Sequence, residues 1–246
     1  MNIDELNLNL TEPPTELKKK YQRDYWQRVC IAIAVIAKTG YSAAPDLLDQ
    51  LAGLFYVAFH SKPIQRLIYQ TLPQDGLADK FILPLGPWAK LAVITLTDYG
   101  KDVARALGIE PVESDYERIL RLHDGENQPA HTAQVLFTAY QARIRKMKVV
   151  VMPFEENDRT PWFRPDLSIS DELHYYPVEV ETHSRNNPKK WEYKREANVV
   201  LPTPSVRHAV VNRLKKMHVP GRATDLITLA RSAKDYDLSY FWLERW

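Results

Sequence analysis

Cysteine is almost missing from this chain: Cys30 is the single thiol in 246 residues. That excludes an internal disulfide framework and a cysteine-built zinc cluster. Cys30 lies inside the apolar run Val29-Cys30-Ile31-Ala32-Ile33-Ala34, so it reads as core packing rather than as a reactive thiol. Glycine is scarce too, eight residues scattered without a phosphate-cradling loop, and there is no repeat or low-complexity tract. Long hydrophobic runs are lacking. The stretch that ends near Ala37 is too short to span a bilayer, and the charged and polar residues before it are unlike a signal peptide. A cytoplasmic protein without a membrane partner is the expectation. At 45% hydrophobic and 26% charged residues, the composition fits a soluble globular protein of one large domain or two small ones.

What the chain does have is a pair of alternating segments in its second half. Trp162-Phe163-Arg164-Pro165-Asp166-Leu167-Ser168-Ile169 and Tyr175-Tyr176-Pro177-Val178-Glu179-Val180-Glu181 read as strands, and Ser170-Asp171-Glu172-Leu173 between them reads as a turn. A turn centred on Asp171-Glu172 sets Asp166 nearly opposite Pro177. The pleat then places Asp166, Glu179 and Glu181 on one face, since residues two apart point the same way. Three converging carboxylates repel one another unless a cation sits between them, and a divalent metal is the usual answer.

The flanks extend the pattern. His131 to Lys148 reads as a helix leading into the apolar strand Val149-Val150-Val151-Met152. Asn187 to Glu196 reads as a helix, Val199-Val200-Leu201 as a short strand, and Ser205 to Met217 as a helix capped by Ser205. This order describes an α/β sandwich. With an Asp after a Pro on one strand and Glu-x-Glu on the next, it resembles the PD-(D/E)xK nuclease superfamily. The resemblance implies that Asp166 and Glu179 hold Mg²⁺ or Mn²⁺, and that Glu181 stands where the superfamily usually has lysine. Lys189 or Lys190 would then have to supply the missing lysine from the following helix. The glutamate often found on the first helix of that superfamily has no match here; Gln134 or Gln141 occupies that side.

Net charge is only +2, but the charges are unevenly distributed. Between Arg185 and Lys216 stand nine basic residues (Arg185, Lys189, Lys190, Lys194, Arg195, Arg207, Arg213, Lys215 and Lys216) against Glu192 and Glu196. Arg143, Arg145, Lys146 and Lys148 make a second cluster. Each cluster reads either as a solvated helix face or as a phosphate-binding surface; having both beside the carboxylate hairpin favours nucleic acid.

The first half begins with a polar stretch to about Tyr21, expected to be a flexible tail. Helices follow over Asp24 to Lys38, over Asp46 to Phe59, and from Ser61-Lys62-Pro63 onward with Ile64, Leu67, Ile68 and Leu72 inward. Phe81 to Leu85 and Leu91 to Leu96 read as strands, and a final helix runs from Thr97 to Ala106. This order, with Leu96-Thr97-Asp98-Tyr99-Gly100 at the last junction, resembles a winged helix-turn-helix. In that fold the third helix enters the major groove and the wing touches the backbone. Lys62, Gln65, Arg66 and Tyr69 would project from the recognition helix and Lys90 from the wing. The alternative is a winged helix used for protein contact alone.

Gly108 to Ser114 and His123 to Ala130 read as connectors around a short helix, Asp115 to Leu122. His60, His174, His183, His208 and His218 form no ligand pair at helical spacing; His183 could reach a metal, though a surface or phosphate-facing role suits it better. Beyond Met217, Ala223 to Ala233 reads as a helix, and Trp242 and Trp246 as packing residues. A winged helix, Arg-Pro-Asp, Val-Glu-Val-Glu-Thr and a basic segment ending at Tyr193 together resemble the replication-relaxation family of plasmids and mobile elements. The expected class is α+β: a tail (1–22), a winged helix-turn-helix (23–110), a linker with a short helix (111–130) and a PD-(D/E)xK restriction-endonuclease-like domain (131–246). The expected activity is DNA binding with metal-dependent endonuclease chemistry in replication, mobilisation or transposition, with mobile-element proteins as further partners. Basic residues Arg143, Arg185 and Lys194 would assist at the DNA. The rival is a non-catalytic DNA-binding regulator or interaction module that keeps a nuclease fold.

Overall fold

In the computed structural model, which describes residues 8, 12, 17, 22–59, 61–123, 125–154, 164–183 and 196–246, the chain divides into two units. The first is Met1–Ile82 with Leu91–Glu117, and the second is Leu83–Lys90 with Arg118–Trp246. The first is built on α1 (Arg23–Thr39), whose Trp26, Val29, Cys30, Ile33 and Ile36 recur at helical spacing and are all buried. Burial pushes the Cys30 thiol up to about 12, as its packing role requires. Gly40 ends the helix at φ 67°, a left-handed conformation that favours glycine, and returns its N–H to Ile36 O. Of the expected tail, Leu17 is buried in this unit's core.

α2 (Ala44–Phe55) stops short of the expected Phe59, because Tyr56 turns to φ 51° and its N–H goes back to Ala52 and Gly53. α3 opens as Lys62–Arg66, widens into a π-helical turn at Leu67–Thr71 and closes as Leu72–Gln74. Ile64, Leu67, Ile68 and Leu72 are buried as their spacing predicts. Ser61 stands at the N-cap but its side chain makes no capping hydrogen bond. β1 (Ala78–Gly86) and β2 (Ala89–Leu96) form a two-stranded sheet turned at Pro87-Trp88. α4 (Asp98–Ala106) follows, and its N-cap Thr97 accepts the Gly100 N–H at 3.0 Å.

The second unit holds a six-stranded mixed sheet in the order β3 (Lys148–Val151), β4 (Leu167–Ser170), β5 (Tyr175–Val180), β6 (Ala197–Leu201), β7 (Gly221–Asp225) and β8 (Glu244–Arg245). β3, β4 and β5 pair antiparallel, β5, β6 and β7 parallel, and β8 closes the edge antiparallel. The chain is therefore mixed α+β. α7 (Pro204–Lys216) covers one face, burying Val210, Val211 and Leu214 on Ala197, Val199, Leu201 and Ala223. Leu167, Ile169 and Val178 are fully buried on the other face, along which α6 (Pro129–Arg143) runs. α8 (Leu226–Lys234) packs on α6 and β7. α6 is buried on nearly every side, because Gln134 and Phe137 also meet Leu85 and Trp88 of the β-turn segment in the same unit. A helix enclosed that way has no polar face to display.

Several boundaries differ from expectation. α6 ends at Arg143 rather than Lys148, where Lys146 at φ 64° reverses the chain into β3. Thr203, not Ser205, caps α7 by accepting the Val206 N–H at 3.3 Å. The helix expected from Ala223 is a strand up to Asp225. Asp225 then caps α8 through the Thr228 N–H at 2.8 Å. Ladders to β6 on one side and β8 on the other override the local preference of Ala-Thr-Asp, and a side chain on Gly221 would run into Ala197 O and Trp246. Trp162 and Phe163, and the helix expected over 187–196 apart from Glu196, lie outside the described residues. No helix among the described residues is long and apolar enough to cross a membrane.

Candidate metal centre

The hairpin forms where the sequence placed it. Asp171 makes the turn: its Oδ1 accepts the N–H groups of Leu173 and His174 at 2.8 and 2.7 Å. The register is two residues away from the expected one, because Ser168 rather than Asp166 faces Pro177. A two-residue shift keeps every side chain on its face. The ladder ends at Leu167↔Val178, and Asp166 lies in a bend just before β4, outside the expected strand. Glu179 shares its face with Val199 and Ala223, the face covered by α7. Glu181 follows β5, half-buried, and its N–H donates to Val200 O on β6.

Asp166 precedes β4 and is almost fully buried, 3% exposed. Its Oδ2 accepts the Val180 N–H at 2.7 Å, taking the place of a ladder partner at the strand end. Its Oδ1 faces two imidazoles, Nε2 of His123 at 3.3 Å and Nε2 of His131 at 3.2 Å. Burial pushes the Asp166 carboxyl up, but hydrogen bonds from His123 and His131, the charge of His131 and the Val180 N–H outweigh it. The carboxyl is held well below the usual carboxylate range.

Each partner is fixed by its own element. His123 ends α5 (Asp115–His123), and Arg118 on the same helix donates to the carbonyls of Val151, Met152 and Phe154. His131 stands in the first turn of α6, one turn before Gln134. Gln134 donates to Leu85 O, and the side chain of Gln141 accepts from Arg145, so it is a histidine that α6 contributes to Asp166. The ligand atoms of His123, His131 and Asp166 lie within 4.8 Å of one another, close enough to hold a metal ion; Glu179 and Glu181 are not in that group. The sequence reading missed both histidines. They stand in a connector and at a helix start, eight residues apart. The one available signal was that His131 opens the helix preceding the carboxylate hairpin.

The proposed DNA-contact residues are placed as follows. Lys62 and Arg66 are exposed and line an open cavity of about 690 Å³ with Tyr25, Thr71, Gln74 and Asp75. Gln65 and Tyr69 are half-buried, and the Tyr69 hydroxyl is pushed up by burial. Lys90 is exposed in β2, and Arg143 is half-buried at the end of α6. Arg145, from the same basic cluster, is spent on structure: it donates to Gln141, Tyr240 O, Leu229 O and Ser232. Arg207 pairs with buried Asp225 at 3.3 Å and Lys215 with Glu244 at 2.8 Å. His183 is exposed after β5. Arg185, Lys189, Lys190 and Lys194 lie outside the described residues, as does His60. No family model, curated protein or solved structure matches this chain.

Proposed function

We propose that the chain binds DNA through a winged helix-turn-helix and that its second unit is a PD-(D/E)xK-like, metal-dependent endonuclease domain acting on mobile DNA. The observation that carries this reading is Asp166, a buried and ionised carboxylate just before β4, with Glu179 buried on β5, the adjacent antiparallel strand. Support for the first unit is the order of its described elements from Arg23 to Ala106, three helices, a two-stranded sheet and a further helix, with Lys62 and Arg66 exposed on the third. A divalent ion beside Asp166 would polarise a phosphodiester and acidify its water. Asp166 itself supplies fixed negative charge; Glu179 supplies a second carboxylate on the neighbouring strand, and exposed basic residues offset the charge of the DNA backbone.

The test is cleavage of plasmid and oligonucleotide DNA by the purified chain with added divalent ions. Nicking that disappears in Asp166→Ala, while DNA binding persists or strengthens, is the expected result, because removing a negative charge beside the phosphates reduces repulsion. Cleavage that survives Asp166→Ala comes from a contaminant. No cleavage by the wild type with any ion would favour the non-catalytic reading, a DNA-binding regulator or interaction module, for which the glutamate in the lysine position of the motif already speaks.

A further inference from the structure

We infer that His123, His131 and Asp166 form a three-ligand centre for a transition ion of the imidazole-accepting class, such as Zn²⁺, rather than for Mg²⁺. The inference rests on the reading above for the purpose of the ion, but not for its binding. Two imidazole nitrogens and one carboxylate oxygen suit Zn²⁺, Fe²⁺ or Ni²⁺, whereas Mg²⁺ wants a shell of oxygens and water. The donor set of this cluster therefore fits poorly with the magnesium expected of a PD-(D/E)xK nuclease.

The distances point the same way. Metal bonds of about 2.0–2.1 Å at tetrahedral angles set neighbouring ligand atoms ~3.3 Å apart. Both His–Asp166 separations, 3.3 and 3.2 Å, match that edge. Both Nε2 atoms lie within 3.3 Å of the same oxygen, and the rings stand 81° apart with centroids at 4.8 Å, so they meet edge to face rather than stack. Asp166 is further oriented by the Val180 N–H on its other oxygen, the kind of outer hydrogen bond that fixes a metal ligand.

Exposure is asymmetric. The side chains of Asp166 and His131 are 5% and 10% exposed, and that of His123 is 39% exposed. Three protein ligands with one on the solvent side leave a coordination position open to water or substrate, as catalytic rather than structural zinc sites do.

The test uses the full chain stripped with chelator. Co²⁺ titration should give visible d–d absorption of a low-coordinate site, and calorimetry should show one Zn²⁺ bound per chain with no competition from millimolar Mg²⁺. His123→Ala, half-exposed and so tolerable to the fold, should weaken Zn²⁺ binding roughly 100-fold or more. His131→Ala and Asp166→Asn should do the same where circular dichroism shows them folded, and His208→Ala, exposed on α7, should not. Equal affinity for Mg²⁺ and Zn²⁺, or wild-type Zn²⁺ affinity in His123→Ala, would overturn the inference and leave an ordinary hydrogen-bonded triad. Zn²⁺ binding without DNA cleavage keeps the centre and sinks the nuclease reading. Cleavage with Mg²⁺ that His123→Ala retains does the reverse.

Discussion

At the scale of single residues, Asp166 shows how a buried charge is kept. Enclosure alone would drive a carboxyl to its neutral form, yet two imidazoles and the Val180 N–H face it, and together they outweigh the loss of water. The sign for stability follows. A carboxyl depressed by folding contributes stability that is fully present above its unfolded value, about 3.9, and is lost as pH falls through and below that value. Asp166→Asn, studied in chelator, is expected to cost about 1–3 kcal/mol near neutral pH. The gap to wild type should narrow as pH drops below about 4. Urea midpoints measured from pH 7 down to pH 3 check this; parallel curves for the two proteins would mean that Asp166 carries no net charge interaction in the fold.

At the scale of elements, one arginine holds three segments together. Arg145 follows α6 and satisfies carbonyls at its end (Gln141), in α8 (Leu229) and near the C-terminal strand (Tyr240), with Ser232 as a further partner. Truncation strands several half-buried acceptors, so Arg145→Ala should cost about 3 kcal/mol, while Lys146→Ala, at an exposed position, should cost little. Equal denaturant midpoints for the two variants would refute the clamp. Where elements are amphipathic, the sequence was enough: α1, the start of α3 and the β4–β5 hairpin announce themselves through apolar spacing, Gly40, Pro63 and Asp171. It was not enough where the partner decides. The π-turn at Leu67–Thr71 leaves the apolar spacing unchanged, and β7 is a strand because β6 and β8 flank it. α6 carries no polar face to phase it. The same limit hid part of the site. Asp166 was visible as the polar end of a strand, but His123 and His131 meet it only through the placement of two helices that no local pattern specifies.

At the scale of the whole chain, net charge says little about where phosphate could bind, because many cations are already committed. Arg118 and Arg145 serve carbonyls, and Lys101, Arg105, Arg207, Lys215 and Arg222 pair with acids. Lys62, Arg66 and Lys90 are different: exposed, and without a hydrogen bond or ion pair among the described residues. If they meet DNA phosphates, each contact releases about 0.9 of a counterion on binding. Replacing all three with alanine removes up to three such contacts. The slope of log affinity against log salt should therefore become shallower by about 2–3, and binding should weaken most at low salt, where released counterions contribute most. The loss should be similar on unrelated duplex sequences, since phosphate contacts carry no sequence information. Filter-binding titrations from 50 to 200 mM salt, on the order of the range over which such effects are large, make the comparison. An unchanged slope and affinity in the triple variant would take these three side chains out of the DNA interface. That result would shift the search to the basic residues between Arg185 and Lys216.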